Sequence, residues 1–214
     1  MEKQNYCNLY LVRHGETEWN VKGIIQGQNN SCLTENGKQQ AKTIADELKD
    51  IKFDSIFSSD LTRTQDTAEI IRLDREIVIQ TSKLLRERNF GSFEGKRGDE
   101  FRETLKDKII EREKLSEEEG WLFKLTEDVE TDEELVNRFL IQLREISLAY
   151  PNKTVLVVSH GGPIIMFLSK IGYMTKKELN SGTFRNGGCI KFLSDGFNFF
   201  IKDVKGVVNS KEVK

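Results

Sequence analysis

Two short apolar runs constrain this chain more than any other feature in it. Leu9-Tyr10-Leu11-Val12 runs into Arg13-His14-Gly15, and Thr154-Val155-Leu156-Val157-Val158 runs into Ser159-His160-Gly161-Gly162. Continuous apolar and β-branched runs of this kind read as strands buried on both faces, which belong to parallel sheets covered by helices. The expected fold is therefore α/β: a three-layer α/β/α sandwich with a mostly parallel central sheet and helices on both faces. Ligands of such sheets bind outside the carboxyl ends of the strands. His14 and His160 are the only two histidines, 146 positions apart (160 − 14), and this pattern sets both at one rim. One histidine after a strand is more often a hydrogen-bonded structural residue. Two in matched positions, one preceded by arginine, point to a site.

The rest of the chain supplies helices and strands in alternation. The first strand spans roughly Asn8 to Val12, followed by a polar loop through Gly23-Ile24-Ile25-Gln26-Gly27-Gln28. Thr34 suits the cap of a helix with Ala41, Ile44, Ala45 and Leu48 on its apolar face. Asp54 to Ser58 reads as the second strand, Ser59 or Asp60 as the next helix cap, and Ile77-Val78-Ile79 as a third strand. Thr131 and Glu134 form a capping box ahead of a helix carrying Leu135, Phe139 and Leu143. Pro163 suits the first position of the helix after Thr154 to Ser159. Gly188 to Leu193 and Asn198 to Val204 read as an antiparallel pair turned at Asp195-Gly196.

The 214 residues fit a single domain, 1–214, with an insertion at about 92–132. The densely charged part from Arg97 to Asp132 reads as one or two helices forming a lid. With 37% hydrophobic and 32% charged residues the chain is globular. A net charge of −2 offers no general attraction to nucleic acid or an anionic membrane. No segment is apolar enough to span a bilayer, and the start, Met1-Glu2-Lys3-Gln4-Asn5-Tyr6, carries no hydrophobic leader. Cys7, Cys32 and Cys189 have no metal-ligand spacing, which suits reduced thiols in the cytoplasm and no metal site.

Further residues gather around the two histidines. Arg13 precedes His14. Arg63 falls in the first turn of a helix, where the partial positive charge already present disfavours a cation unless an anion binds beside it. Asn20 and Gln26 follow His14 in the loop and can donate amide hydrogen bonds. Glu87 lies between Arg86 and Arg88, where a plain salt bridge competes with a proton-carrying role.

Arg13-His14-Gly15-Glu16-Thr17-Glu18-Trp19-Asn20 resembles the signature of the histidine phosphatase superfamily, in its phosphoglycerate-mutase-like branch. The likeness continues, in family order, through Gln26-Gly27, Leu33 to Ala41, Ser58 to Thr64, Leu85 to Gly95 and Val158 to Gly162. It implies that His14 is a nucleophile forming a phosphohistidine. It also implies that Arg13, Arg63 and His160 cradle the phosphate, with Asn20 and backbone amides completing the cradle. Gly15, Gln26, Gly27 and Gly161 fall in the same binding blocks, and Glu87 is the proton carrier. Arginine forks bind phosphate oxygens in pairs, so no metal or other cofactor is implied. Nearby arginines should keep His14 neutral.

The implied reaction is hydrolysis of a small phosphorylated metabolite, releasing inorganic phosphate. A phosphoglycerate mutase uses the same machinery, and a non-catalytic phosphate-binding protein would use the same fold. Arg97 to Asp132 contains Arg102 and Arg112 but no adjacent arginine pair of the kind such mutases carry, which favours the phosphatase. The stretches around Gln26 and Glu87 look like those of fructose-2,6-bisphosphatase-type regulators, and Arg86, Arg88, Lys96 and Arg97 are candidates to reach a second anionic group. One departure stands out. Where the family often has Gly-Glu-Ser, this chain has Val129-Glu130-Thr131-Asp132, followed by Arg138.

Overall fold

A computed structural model describes residues 5–175 and 183–207; Met1 to Gln4, read above for the absence of a leader, lie outside the described residues. The strands are β1 (Cys7–Arg13), β2 (Ser55–Ser59), β3 (Ile79–Ser82), β4 (Thr154–Ser159), β5 (Phe184–Ser194) and β6 (Phe199–Val207). They form one sheet in the order β3-β2-β4-β1-β5-β6. The pairs β3–β2, β2–β4 and β4–β1 are parallel, and β1–β5 and β5–β6 are antiparallel. The helices are α1 (Glu18–Lys22), α2 (Glu35–Glu47), α3 (Thr62–Arg72), α4 (Gly98–Thr104), α5 (Lys106–Glu113), α6 (Glu117–Leu122), α7 (Asp132–Ala149) and α8 (Gly161–Lys170).

The alternation of side chains along the central strands explains the three layers. Leu9, Leu11, Val155 and Val157 pack with Phe139 and Leu143 of α7 and Phe167 of α8. Tyr10, Val12, Leu156 and Val158 turn the other way, onto Ile44 of α2 and Ala68 and Ile71 of α3. Full burial of each such side chain contributes roughly 1.5–3 kcal/mol, so both faces of β1 and β4 are strongly committed to helices. This is why these runs lack polar alternation. Among the described residues, no helix is long and apolar enough to cross a membrane.

Several boundaries differ from expectation, each for a local reason. Ile77-Val78-Ile79 is mostly the lead-in to β3, whose ladder runs from Ile56↔Ile79 to Ser59↔Ser82. β3 is an edge strand, so its register rests on few buried side chains, and Val78 is 82% exposed. Neither Ser59 nor Asp60 is the α3 cap. Leu61 takes that position without a side-chain bond, the Thr62 amide donates to Asn30 Oδ1 at 3.1 Å, and the Asp60 carboxylate accepts from Arg86. Pro163 is the third residue of α8, because His160 itself is the N-cap with an extended backbone. Proline is still tolerated there, since the first-turn amides have no intrahelical partner. β5 begins well before Gly188, with a register shift between Phe184 and Cys189.

The charged insertion folds as three short helices, α4 to α6. Phe93, Leu105 and Val129 bury together, with Ile25, Phe90 and Phe101 packed against them. Val129, standing where the family often has glycine, is 2% exposed and fills this satellite core. Backbone bonds from Ile25 to Lys96 (2.9 Å) and from Gly95 to Ile25 (2.8 Å) tie it to the loop after β1. The expected capping box of α7 is present, with Thr131 accepting from Glu134 and Glu134 accepting from Thr131.

Candidate active site

All four parallel strands deliver a site residue from their carboxyl ends. β1 ends at Arg13 and His14, and β4 ends at Ser159 and His160. The α3 helix that follows β2 carries Arg63, and the turn that follows β3 carries Glu87. β1 and β4 are in register at Arg13↔Ser159, and the His14 amide donates to the Ser159 carbonyl at 3.0 Å. The two imidazoles are therefore neighbours, packed edge to face with ring centroids 5.2 Å apart. His14 is 3%, His160 0% and Arg63 1% exposed.

Hydrogen bonds assign the protons on both rings. His14 Nδ1 lies 2.7 Å from the Gly15 carbonyl, which can only accept, so Nδ1 carries hydrogen and Nε2 carries the lone pair. His160 Nδ1 lies 3.2 Å from Arg63 Nε. Arginine can only donate, so His160 has its hydrogen on Nε2. The neighbours thus stand in opposite tautomers. Burial first, and the Arg63 charge next, hold both histidines well below the usual imidazole range. Arg13 adds to this at His14 as expected, although desolvation exceeds either arginine.

The arginines are placed by backbone carbonyls. Arg63 donates to Asn29 (2.7 Å) and Gly27 (2.8 Å) through its terminal nitrogens. Burial pulls it down to about 10, against Glu87 and Glu94, which leaves it cationic at neutral pH. Arg13 donates to the Phe184 carbonyl on β5, and its guanidinium lies against Gly161, where a Cβ would come within 3.1 Å. Among the described residues, Arg13 Nε and His160 Nε2 are both buried without a hydrogen-bond partner. Each is a donor, and leaving one unmet costs roughly 1–3 kcal/mol. Two such donors beside a neutral imidazole have the polarity to meet an anion.

Glu87 is not in a salt bridge with either flanking arginine. Its Oε1 accepts from the Arg88 amide at 2.8 Å and its Oε2 from the Gly162 amide at 3.1 Å. Arg86 pairs instead with Asp60 (2.6 Å), and Arg88 with Asp132 (2.6 Å).

The other expected residues fall around this centre. The Gly15 amide donates to Thr67 Oγ1 at 3.1 Å. Asn20 spends its oxygen on Thr17 in the α1 capping box, which leaves its amide nitrogen as the donor. Gln26 is buried in the same loop, with Oε1 unpartnered among the described residues. Gly27 combines a positive φ of 52° with a Cβ position only 2.0 Å from Glu94 Oε1, so only glycine fits beneath the Arg63 anchor.

The sequence profile of the histidine phosphatase superfamily (branch 1) matches residues 9–205. The chain belongs to that superfamily. This histidine phosphatase is 35% identical over 161 residues to the uncharacterized phosphatase PhoE of Bacillus subtilis (strain 168), with 75% of each chain covered. It is 34% identical over 176 residues to the probable phosphoglycerate mutase GpmB of Erwinia tasmaniensis, with 76% of this chain and 74% of that one covered. The solved structure of YhfR from Bacillus stearothermophilus matches with a TM-score of 0.82 at 29% identity, over 95% of this chain and 98% of that chain.

In this histidine phosphatase, the cations considered for a second anionic group have partners of their own. Besides Arg86 and Arg88, Arg97 pairs with Asp99 at 2.8 Å, and Lys96 lies over the Phe93 ring, 3.9 Å from Glu100. Arg97 and Lys96 are exposed, so these two pairings are weak. Sequence reasoning missed Asn186 on β5, whose side-chain amide donates to the His14 carbonyl at 3.0 Å and approaches Asn20 Oδ1 at 3.4 Å. It also missed Thr67 and the Phe184 carbonyl. Asn186 had one local signal, a polar residue between Arg185 and Gly187 ahead of an apolar run. A backbone carbonyl has none.

Proposed function

We propose that this enzyme is a metal-independent phosphomonoester phosphatase that works through a phosphohistidine on His14. The observation that carries the reading is the pair of buried donors, Arg13 Nε–H and His160 Nε2–H, that find no acceptor among the described residues, beside a histidine whose Nε2 holds the lone pair. In the first step His14 Nε2 attacks phosphorus. The P–N bond forms, the P–O bond to the leaving group breaks, and the Glu87 carboxyl protonates the departing oxygen. The Gly15 carbonyl, bonded to Nδ1–H, stabilises the positive charge that develops on the ring. In the second step the Glu87 carboxylate takes a proton from water as the water oxygen attacks phosphorus. The P–N bond breaks, inorganic phosphate leaves, and His14 returns to its starting tautomer. Arg13, Arg63 and neutral His160 hold the phosphoryl oxygens throughout, aimed where charge builds up.

The substrate is a small phosphorylated metabolite, and α4 to α6 with their satellite core act as a lid within a single-domain cytoplasmic enzyme. Mutase activity is the second reading, favoured by the likeness to the probable phosphoglycerate mutase GpmB. Two experiments address the readings. Brief reaction with a ³²P-labelled phosphomonoester should leave acid-labile label on the wild type and none on His14→Ala; label persisting in that variant removes His14 as nucleophile. Supplying 3-phosphoglycerate with its bisphosphate primer should release free phosphate. Rapid conversion to 2-phosphoglycerate with little free phosphate would establish the mutase instead.

A further inference from the structure

Among the described residues the Glu87 carboxylate accepts hydrogen bonds only from backbone amides, yet the turn carrying it is held by many more bonds than those of its own side chain. Arg138, on α7, donates to the carbonyls of Leu84 (2.9 Å), Arg86 (2.7 Å) and Glu87 itself (2.9 Å). Its two remaining donors go to Glu130, at 2.6 Å to Oε1 and 3.0 Å to Oε2. All five guanidinium hydrogens are thus committed, three to one short turn and two to one carboxylate.

Glu130 extends the grip. Its amide donates to the Asn89 carbonyl at 2.9 Å, its Oε2 accepts from the Asn89 amide at 3.0 Å, and its carbonyl accepts from Arg88 at 2.7 Å. Residues 84 to 89 are therefore gripped at both ends by Glu130 and Arg138. The pair is mostly buried, with 16% and 13% of the side chains exposed. Desolvating such a pair is costly, and an apolar pair of similar volume is often at least as stable. What an apolar pair lacks is the planar fork that meets three carbonyls at set angles.

We propose that Arg138, braced by Glu130, is a positioning residue that sets the Glu87 carboxyl in reach of the leaving-group oxygen without touching substrate. The proposal rests on the proton-carrying role of Glu87 given above. A residue that merely held the fold together would weaken all substrates alike. One that aims a general acid weakens only those whose leaving group needs a proton.

The test is the single-turnover rate of His14 phosphorylation with phenyl phosphate and with p-nitrophenyl phosphate, whose nitrophenolate leaves unaided. Glu87→Gln should slow phenyl phosphate by about 10²-fold or more and p-nitrophenyl phosphate far less. Arg138→Met should reproduce that split in weaker form, with little change in substrate affinity. Arg138→Lys, which keeps the charge but has fewer donors, should show the same split and guards against a misfolded Met variant. A cavity of about 450 Å³, lined in part by Arg86, Glu130 and Arg138, opens beside the clamp. Guanidinium chloride, far below denaturing levels, should therefore restore the phenyl phosphate rate of Arg138→Ala. If Glu87→Gln shows the split while Arg138→Met and Arg138→Lys slow both substrates equally, or neither, the clamp is rejected and the role of Glu87 stands. If Glu87→Gln shows no split, the proton-carrier assignment fails and the clamp falls with it.

Discussion

The amide of Gly162 donates to Glu87 Oε2 at 3.1 Å, so the proposed proton carrier is tied to the first turn of the helix that begins at His160. A Cβ on Gly162 would come within 2.1 Å of Glu87 Oε1. Gly162→Ala must therefore displace the carboxylate while leaving a helix that alanine favours over glycine by up to about 1 kcal/mol. The expected result is an unchanged or slightly raised Tm with kcat lowered at least about tenfold, since small displacements of a catalytic group are expensive. Calorimetry and steady-state kinetics on the same preparation check it; a wild-type kcat contradicts it.

His14 and His160 make the fold sensitive to mild acid. Burial, followed by Arg63, holds both well below the usual imidazole value, whereas the unfolded chain protonates them near about 6.5. Below that pH the unfolded state binds more protons than the folded one, so stability falls as pH falls from the unfolded value toward the folded values. Tm should drop between pH 7 and pH 5, and the slope should flatten in a His14→Asn, His160→Asn double variant. Equal slopes in the two proteins would refute the assignment. The same shift keeps His14 neutral in that range, so the acid limb of its phosphorylation should lie below the ordinary imidazole pKa.

Arg63→Lys tests whether a guanidinium is required or only a charge. Arg63 reaches the carbonyls of Gly27 and Asn29 and the His160 ring at once, and an ammonium on a flexible stem cannot hold all three. His160 would lose the bond that fixes its tautomer. We expect kcat/KM to fall by about 10²-fold or more, with weaker inhibition by inorganic phosphate. Retention of kcat/KM within a few-fold of wild type would mean that charge alone suffices.

Contacts local in sequence were legible, and contacts through backbone atoms were not. The strands ending at His14 and His160 stood out because each is buried on both faces and ends in a distinctive residue cluster. The Thr131–Glu134 box was readable because both partners lie within one helical turn. β3 was misplaced because an edge strand takes its register from its neighbour's ladder, and Ile77 and Val78 lie before the pairing, which begins at Ile79. The α3 cap was misread because Asn30, more than thirty positions upstream, supplies the acceptor. Arg138 was legible only as the arginine following Val129-Glu130-Thr131-Asp132, and its partners were not, because the carbonyls of Leu84, Arg86 and Glu87 look like those of any other residues until the chain is folded.

The position of β4 has a consequence for the order in which the site can assemble. It is the last of the four parallel strands in the chain, yet it lies between β2 and β1 in the sheet. A nascent chain that already carries His14, Arg63 and Glu87 has no strand to bridge β1 and β2, and no His160 to meet Arg63. Pairing across such sequence distance is slow to form. The candidate site is therefore incomplete until the middle of its sheet is filled. Arg13 is completed later still, because the Phe184 carbonyl that holds it lies on β5, after β4 in the chain.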